Sequence, residues 1–205
     1  IAVGGAGAAL RQGNRGKAGA VVDGDSAINA KENEIDEMAL SLLVRNQPVA
    51  QDLRFVVGAL RMVIDLERIG DEAVSIAERA LILHQTLPEP LALAVTPLLH
   101  TARELFAKSA AAFRTMDPVT ALKLCRVDDE STQMEVSALQ TIMDYFCLEG
   151  NVGRSTPTYA GMHGILICRA LNRICRRAGN IAEHIYFITE GVNIKHVPAP
   201  VLTRQ

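Results

Sequence analysis

Two carboxylates four residues apart mark the segment of this sequence that could do chemistry. The segment is IDLERIGDEAVSIAE (64–78), in which Glu67 and Asp71 share one face of the predicted helix. Carboxylates held close together repel one another unless a proton or a cation lies between them. Their oxygen atoms suit hard or borderline divalent ions and ferric iron. The spacing is equally typical of a solvated helix face, so both interpretations stay open at this point.

A second pair of oxygen-bearing side chains lies upstream. Asp25 and Asn29 are also four residues apart, and they begin a polar stripe along a predicted helix. This helix and the one that carries Glu67 should run antiparallel about a turn near 46–48, and both pairs lie at similar distances from that turn. If the two helices present these faces to one side, four side chains converge on a predicted metal site: Asp25, Asn29, Glu67 and Asp71.

The elements that must position these residues are helices. Aromatic residues make up 4 % of the chain and tryptophan is absent, a composition typical of closely packed helices. The predicted elements are a partial helix to about residue 12, helices near 15–45, 48–84, 91–116, 119–147 and 157–190, and an extended tail over 191–205. The glycine-rich opening, which begins with isoleucine, indicates a truncated first helix.

The chain repeats itself. LERIGDEAVSIAE (66–78) aligns without gaps with LNRICRRAGNIAE (171–183), and seven of the thirteen positions are identical. AALRQGN (8–14) pairs with AAFRTMD (111–117) in the same order. The sequence therefore predicts an all-α protein of two tandem antiparallel three-helix bundles related by internal duplication, with copy one over 1–86 and copy two over 91–190.

Each copy has an apolar seam in its last helix, with alternating steps of four and three residues that predict a face buried in its own bundle. The seam of copy one consists of Phe55, Ala59, Met62, Leu66, Ile69, Ala73, Ile76 and Ala80. The seam of copy two consists of Ala160, Gly164, Ile167, Leu171, Ile174, Ala178, Ile181 and Ile185.

Several classes of protein are disfavoured by the sequence. The net charge of −2 gives no electrostatic case for binding nucleic acid, and no apolar run is long enough for membrane insertion. The four cysteines form no C-x-x-C pair and predict reduced thiols in the cytoplasm. The five histidines are scattered, no E-x-x-H motif of a di-iron oxidase is present, and no nucleophile has a neighbouring base. We therefore expect a protein that is not an enzyme.

A line of basic residues runs beside the acidic pair on the same predicted helix. Arg54, Arg61 and Arg68 recur every seven residues, and Asp52 lies in the first turns of that helix. These four residues are candidates for docking a partner protein, since an acidic partner helix would complement the line. The alternative is that the arginines balance the neighbouring carboxylates on a solvated surface.

Long motifs of the chain resemble the PhoU family of phosphate-signalling proteins. The segment QPVAQDLRFVVGALRMVIDLERIGDEAVSIAERA (47–80) is similar to the first signature of the family, and DSAIN (25–29) is similar to the preceding helix. RALNRICRRAGNIAEHIYFITEGVNIKH (169–196) resembles the end of the second signature. The resemblance implies a cytoplasmic, non-enzymatic negative regulator, an adaptor between the ATPase subunit of a phosphate ABC transporter and a sensor histidine kinase. It also allows a homodimer.

The resemblance further implies metal ions, iron or zinc above all, on paired E(D)xxxD motifs. Copy one matches with Glu67 and Asp71, and with Asp25 followed by asparagine at position 29. Copy two departs from the pattern, because Asn172 and Arg176 stand in place of the acids. We therefore expect metal on copy one only, with Arg176 paired to an acid of copy two: Asp128, Asp129 or Glu130. The alternative function is a helical-bundle scaffold of the same ancestry without metal.

Overall fold

The computed structural model describes residues 2–83, 86–125, 128–148 and 150–194, and these residues are helical with short connections. The helices are α1 (Ala2–Gln12), α2 (Arg15–Asp23), α3 (Asp25–Asn46), α4 (Ala50–Leu83), α5 (Glu89–Thr115), α6 (Pro118–Leu124), α7 (Asp128–Cys147) and α8 (Ser155–Glu190). The all-α prediction is confirmed. Most of the predicted tail over 191–205 lies outside the described residues.

The helix boundaries follow local chemistry that the sequence carries. Asn14 caps α2 by accepting a hydrogen bond from the backbone N–H of Lys17, and Asp117 caps α6 in the same way through Val119 and Thr120. Gly191 ends α8 in the left-handed conformation with a φ of 74°. These caps satisfy backbone groups that the ends of a helix leave without partners.

Two predicted helices are divided in the structure. The helix expected over 15–45 is separated into α2 and α3 at Gly24. Gly24 keeps helical dihedral angles but belongs to neither helix. The helix expected over 119–147 is separated into α6 and α7 after Cys125. Since both divisions fall at corresponding places in the two copies, they belong to the repeated unit, and periodicity alone did not reveal them.

The helices form two bundles, α1–α4 and α5–α8, that meet along their last helices. α4 and α8 run antiparallel in contact, with the position of Gly58 against Ile188 at one end and Glu72 paired with Arg173 further along. These pairings bring the position of Gly70 in α4 level with that of Cys175 in α8, which is its equivalent in the sequence repeat. The copies are thus related by an approximate two-fold axis through the α4–α8 contact.

The two seams differ in how well they are covered. Every predicted seam residue of copy two is buried. In copy one the second half of the seam is buried, but Phe55 is 44 % exposed and Leu66 is 40 % exposed. The reason is the length of the covering helix, because α5 packs on both α7 and α8, whereas the shorter α1 contacts α4 but does not reach α3. The predicted seam of copy one is therefore wrong at these two positions.

Candidate functional site

α3 approaches α4 closely at the level of the predicted metal ligands. A methyl group on Gly70 would lie 2.9 Å from Cδ1 of Ile28 and 4.0 Å from Oδ1 of Asp25. Glycine at this position in the middle of α4 therefore lets the first turn of α3 come against the turn that lies between Glu67 and Asp71. The two pairs of polar residues are level with one another, as equal distances from the turn predict.

The polar atoms on the α3 side are only partly satisfied. Nδ2 of Asn29 donates a hydrogen bond to Oδ2 of Asp25 over 3.1 Å. The remaining oxygen atoms, Oδ1 of Asp25 and Oδ1 of Asn29, are shielded from solvent and accept no hydrogen bond in the structure. A shielded acceptor without a donor costs free energy, so both oxygen atoms would gain from a donor or a cation.

The carboxylates on the α4 side repel one another. Burial raises the pKa of Glu67 above its ordinary value, and the neighbouring carboxylates of Asp71 and Glu32 raise it further. Glu32 is a contributor that the predicted ligand set leaves out, although it belongs to the same polar stripe of α3 as Asp25. The structure thus gathers acidic groups from both helices around one place.

The oxygen donors of this site suit a hard or borderline cation, but their side chains are spread apart. In the part of the chain that the structure describes, no three His, Cys, Asp or Glu side chains stand in an arrangement that could hold a metal ion as they are placed. The orphaned oxygen atoms of Asp25 and Asn29 and the crowded carboxylate of Glu67 are nonetheless the groups that a cation would relieve. The chemistry of the donor set fits a metal ion once the side chains turn toward a common point.

Copy two fills the corresponding place with hydrogen bonds between its own side chains. Asn172, which replaces Glu67, is buried, accepts a hydrogen bond from Oγ of Ser131 over 3.0 Å and donates one to Glu135. An amide can both donate and accept, so it satisfies its neighbours without a cation. Arg176 lies on the exposed side of α8, and the side chain of Asp128, one of its three expected partners with Asp129 and Glu130, lies outside the described residues. That ion pair stays a prediction.

A second polar cluster lies between the copies. The carboxylate of Asp65 on α4, 9 % exposed, accepts hydrogen bonds from Nη1 of Arg177 at 2.9 Å and Nδ2 of Asn180 at 3.2 Å. Its other oxygen lies 3.3 Å from Nε2 of His184. Burial raises the pKa of Asp65, but the hydrogen bonds from His184, Asn180 and Arg177 outweigh it, so the pKa lies below its ordinary value.

This cluster forms the floor of a polar cleft of about 390 Å³ between α4 and α8. Of the four predicted docking residues, Arg61 and Arg68 line the cleft. Arg61 also stacks over the ring of Phe187 at 5.5 Å. Asp52 is exposed elsewhere on α4, and the guanidinium of Arg54 lies against Gly191 at the end of α8. The structure therefore divides the predicted docking line into two separate places.

Sequence reasoning missed the Asp65 cluster because it focused on carboxylates at metal-ligand spacing. A signal was present, since Asp65 interrupts an otherwise apolar stretch and the repeat has alanine at the equivalent position 170. An acid that occupies a core position in only one copy indicates a partner that is also present in only one copy. That partner set, Arg177 and His184, comes from the other copy and is invisible without the α4–α8 contact.

Comparison with known families gives the same result for both copies. A sequence model of the PhoU domain matches residues 2–80 and 95–185. The chain is 31 % identical over 198 residues to a phosphate-specific transport system accessory protein PhoU homolog from Pseudomonas putida, covering 96 % of this chain and 75 % of that protein. It is also 31 % identical over 189 residues to the PhoU homolog of Aquifex aeolicus, covering 92 % of this chain and 83 % of the relative.

The fold agrees with a solved structure of the same kind. The crystal structure of PhoU from Pseudomonas aeruginosa superposes with a TM-score of 0.86 at 30 % sequence identity. The superposition covers 93 % of this chain and 90 % of the solved one. The similarity thus extends over both bundles.

Proposed function

The chain belongs to the PhoU family of phosphate transport system accessory proteins, and we propose that it acts as a non-enzymatic regulator in the cytoplasm. In this proposal it is an adaptor that contacts the ATPase subunit of a phosphate ABC transporter and a phosphate sensor histidine kinase. The observation that carries the proposal is the match of both copies to the PhoU domain, since a one-copy match would leave half of the surface without a counterpart in the family.

The surface of the chain supports docking better than catalysis. The buried Cys168 has a pKa raised by burial to about 12, which keeps the thiol protonated. No helix in the described ranges is long and apolar enough to cross a bilayer. Large apolar side chains are instead exposed around the α3–α4 turn, where Leu40, Val44 and Val49 are more than half exposed.

Affinity purification tests the adaptor role. The tagged chain is expected to recover the transporter ATPase or the sensor kinase from cells grown in abundant phosphate. A matched pair of double variants locates the docking surface. Asp52→Ala with Arg54→Ala should lower recovery, whereas Glu104→Ala with Lys108→Ala, an exposed pair on α5, should leave it unchanged. Recovery of neither protein by a folded and abundant chain contradicts the adaptor role.

We further propose that copy one binds a divalent or ferric metal ion, with iron and zinc as the first candidates. The residues that would hold it are Asp25, Asn29, Glu67 and Asp71. Bound there, the ion would supply positive charge to a group of crowded oxygen atoms. The support is the pair of shielded acceptor atoms on α3 and the raised pKa of Glu67 on α4. Gly70 keeps these two groups of ligands within reach of each other.

The effect of added metal on stability tests this site. A ligand that binds only the folded state stabilises it, so metal should raise the melting temperature of the metal-free chain. Glu67→Ala should remove that shift. The alternative, a scaffold of the same ancestry without metal, is supported by the hydrogen bond that already joins Asn29 to Asp25. It predicts no shift in either protein.

A further inference from the structure

The cleft between α4 and α8 has more positive charge than its own carboxylates neutralise. Its charged lining consists of Arg61, Arg68, Arg177, Asp65, Glu183 and His184. Apart from the imidazole of His184, three guanidinium groups face two carboxylates. One of those carboxylates, Asp65, is already occupied by Arg177, Asn180 and His184 on the floor of the cleft. The surplus charge therefore lies with Arg61 and Arg68.

These two arginines are poorly neutralised in the described part of the chain. Neither Arg61 nor Arg68 has a carboxylate within salt-bridge distance, and Arg61 is positioned by its contact with Phe187. Below them, Nε of Arg177 is shielded from solvent and donates no hydrogen bond, although Nη1 of the same group is used by Asp65. Guanidinium groups from two helices thus line one cleft and have donors without an acceptor among the described residues.

The duplication provides an internal comparison for this arrangement. On the other side of the approximate two-fold axis, Leu166 replaces Arg61 and Ala170 replaces Asp65. The equivalent of Arg68 is Arg173, which forms a two-pronged ion pair with Glu72 at 2.5 and 2.6 Å. That ion pair neutralises Arg173 within the protein. Arg68 has no such partner among the described residues, so its guanidinium group stays available for a ligand from solution.

We propose that this cleft binds inorganic phosphate. A tetrahedral oxyanion can accept hydrogen bonds from several guanidinium groups at once, and its double negative charge matches the two arginines that form no salt bridge among the described residues. The carboxylate of Glu183, which lines the same cleft, accepts only, so it favours an oxyanion that retains a proton at neutral pH. Phosphate does so, whereas sulfate does not and would be repelled. The proposal goes beyond the adaptor role and needs no bound metal.

Calorimetric titration of the full chain with inorganic phosphate tests the site, with sulfate at equal ionic strength as the competing anion. We expect saturable phosphate binding and much weaker sulfate binding. Arg61→Ala and Arg68→Ala should each weaken phosphate binding by about tenfold or more, the usual effect of losing a hydrogen bond between charged groups. Arg169→Ala removes one exposed arginine at the equivalent of Ile64 and should change the affinity little.

Two further variants test the role of Glu183 and distinguish the cleft from a phosphate ion held by metal in copy one. Glu183→Gln should admit sulfate, because the charge that repels it is gone, and circular dichroism checks that the variant is folded. Glu67→Ala should leave phosphate binding intact. The proposal is overturned if no saturable binding occurs, if Arg169→Ala weakens binding as much as Arg68→Ala, or if Glu67→Ala abolishes it, which would place phosphate on a metal ion in copy one.

Discussion

At the scale of single residues, Asp65 is a buried carboxylate at the contact between the copies. Asp65→Asn keeps the shape but removes the negative charge, which leaves Arg177 and His184 beside a neutral amide. We expect a loss of about 3 kcal/mol in the free energy of unfolding, as is usual when one partner of a buried ion pair is removed. Urea denaturation measures it, and Glu104→Gln, which alters an exposed pair, should change stability by less than about 0.5 kcal/mol.

The same carboxylate adds a dependence on pH. Because the pKa of Asp65 is lowered in the folded state, its stabilising contribution is complete above the ordinary carboxyl pKa of about 4 and is lost as pH falls through the lower folded value. The difference in free energy of unfolding between the Asp65→Asn variant and the unsubstituted protein should therefore become smaller as the solution is acidified below pH 4. If this difference in free energy stayed constant down to pH 2, the lowered pKa of Asp65 would be contradicted.

Glu67 should behave in the opposite way. The pKa of Glu67 is raised in the folded state of the metal-free protein. The contribution of Glu67 to stability is therefore most favourable below about pH 4 and is lost as pH rises through the pKa of the folded state. Glu67→Gln should stabilise the metal-free protein at pH 7 by less than about 1 kcal/mol, since the group is partly exposed, and should have no effect at pH 4. Thermal unfolding in the presence of a chelator at both pH values measures this, and destabilisation at pH 7 would contradict it.

Part of the site could be predicted from residues alone. Asp25 of α3 lies at the same height as Gly70 of α4. This follows from counting residues back and forward from the connection between the two helices, because the rise per residue of a helix is constant. The Asp65 cluster could not be predicted in this way, since its partners lie more than 100 residues further along the chain and come together only through packing. The spacing of residues along a helix also does not fix side-chain rotamers, which is why four predicted ligands at the same level need not point toward one place.

At the scale of elements, two glycines of α8 distinguish packing from helix propensity. A methyl group on Gly161 would overlap the ring of Phe146, so either the ring or α7 would have to shift. Gly161→Ala should therefore destabilise the protein by about 2 kcal/mol through overpacking. A methyl group on Gly179 would meet no atom within 4 Å, and Gly179→Ala should stabilise by about 0.5–1 kcal/mol.

Chemical denaturation of both variants tests this pair. If Gly161→Ala stabilised the protein as much as Gly179→Ala, the close contact between α7 and α8 would be wrong. The comparison is sharp because both positions lie in the interior of one helix, so the intrinsic benefit of alanine is the same and only the surroundings differ.

The helices also show which parts of a fold can be predicted from patterns in the sequence. The seam of α8 was predicted in full because α5 and α7 both cover it. The predicted seam of α4 was wrong at Phe55 and Leu66, because burial depends on whether another helix is present and not on the pattern itself. The end of α6 at Leu124 escaped prediction because it hardly disturbs the apolar periodicity of this segment.

At the scale of the whole molecule, the duplication has kept one architecture and changed its chemistry. Copy one places carboxylates from α3 and α4 together, whereas copy two fills the same place with an amide and a hydroxyl group in Asn172 and Ser131. The α4–α8 contact diverges likewise, with an enclosed ion pair on one side and a surface pair on the other. Our central claim is that this divergence confines metal binding to copy one.

Metal content per chain tests that claim most directly, measured by inductively coupled plasma mass spectrometry on matched variants. Glu67→Ala in copy one and Asp128→Ala in copy two each remove one acid from equivalent helix pairs. The account predicts that the unsubstituted protein and Asp128→Ala carry the same amount of metal, and that Glu67→Ala carries almost none. Loss of metal in Asp128→Ala with full retention in Glu67→Ala would contradict it.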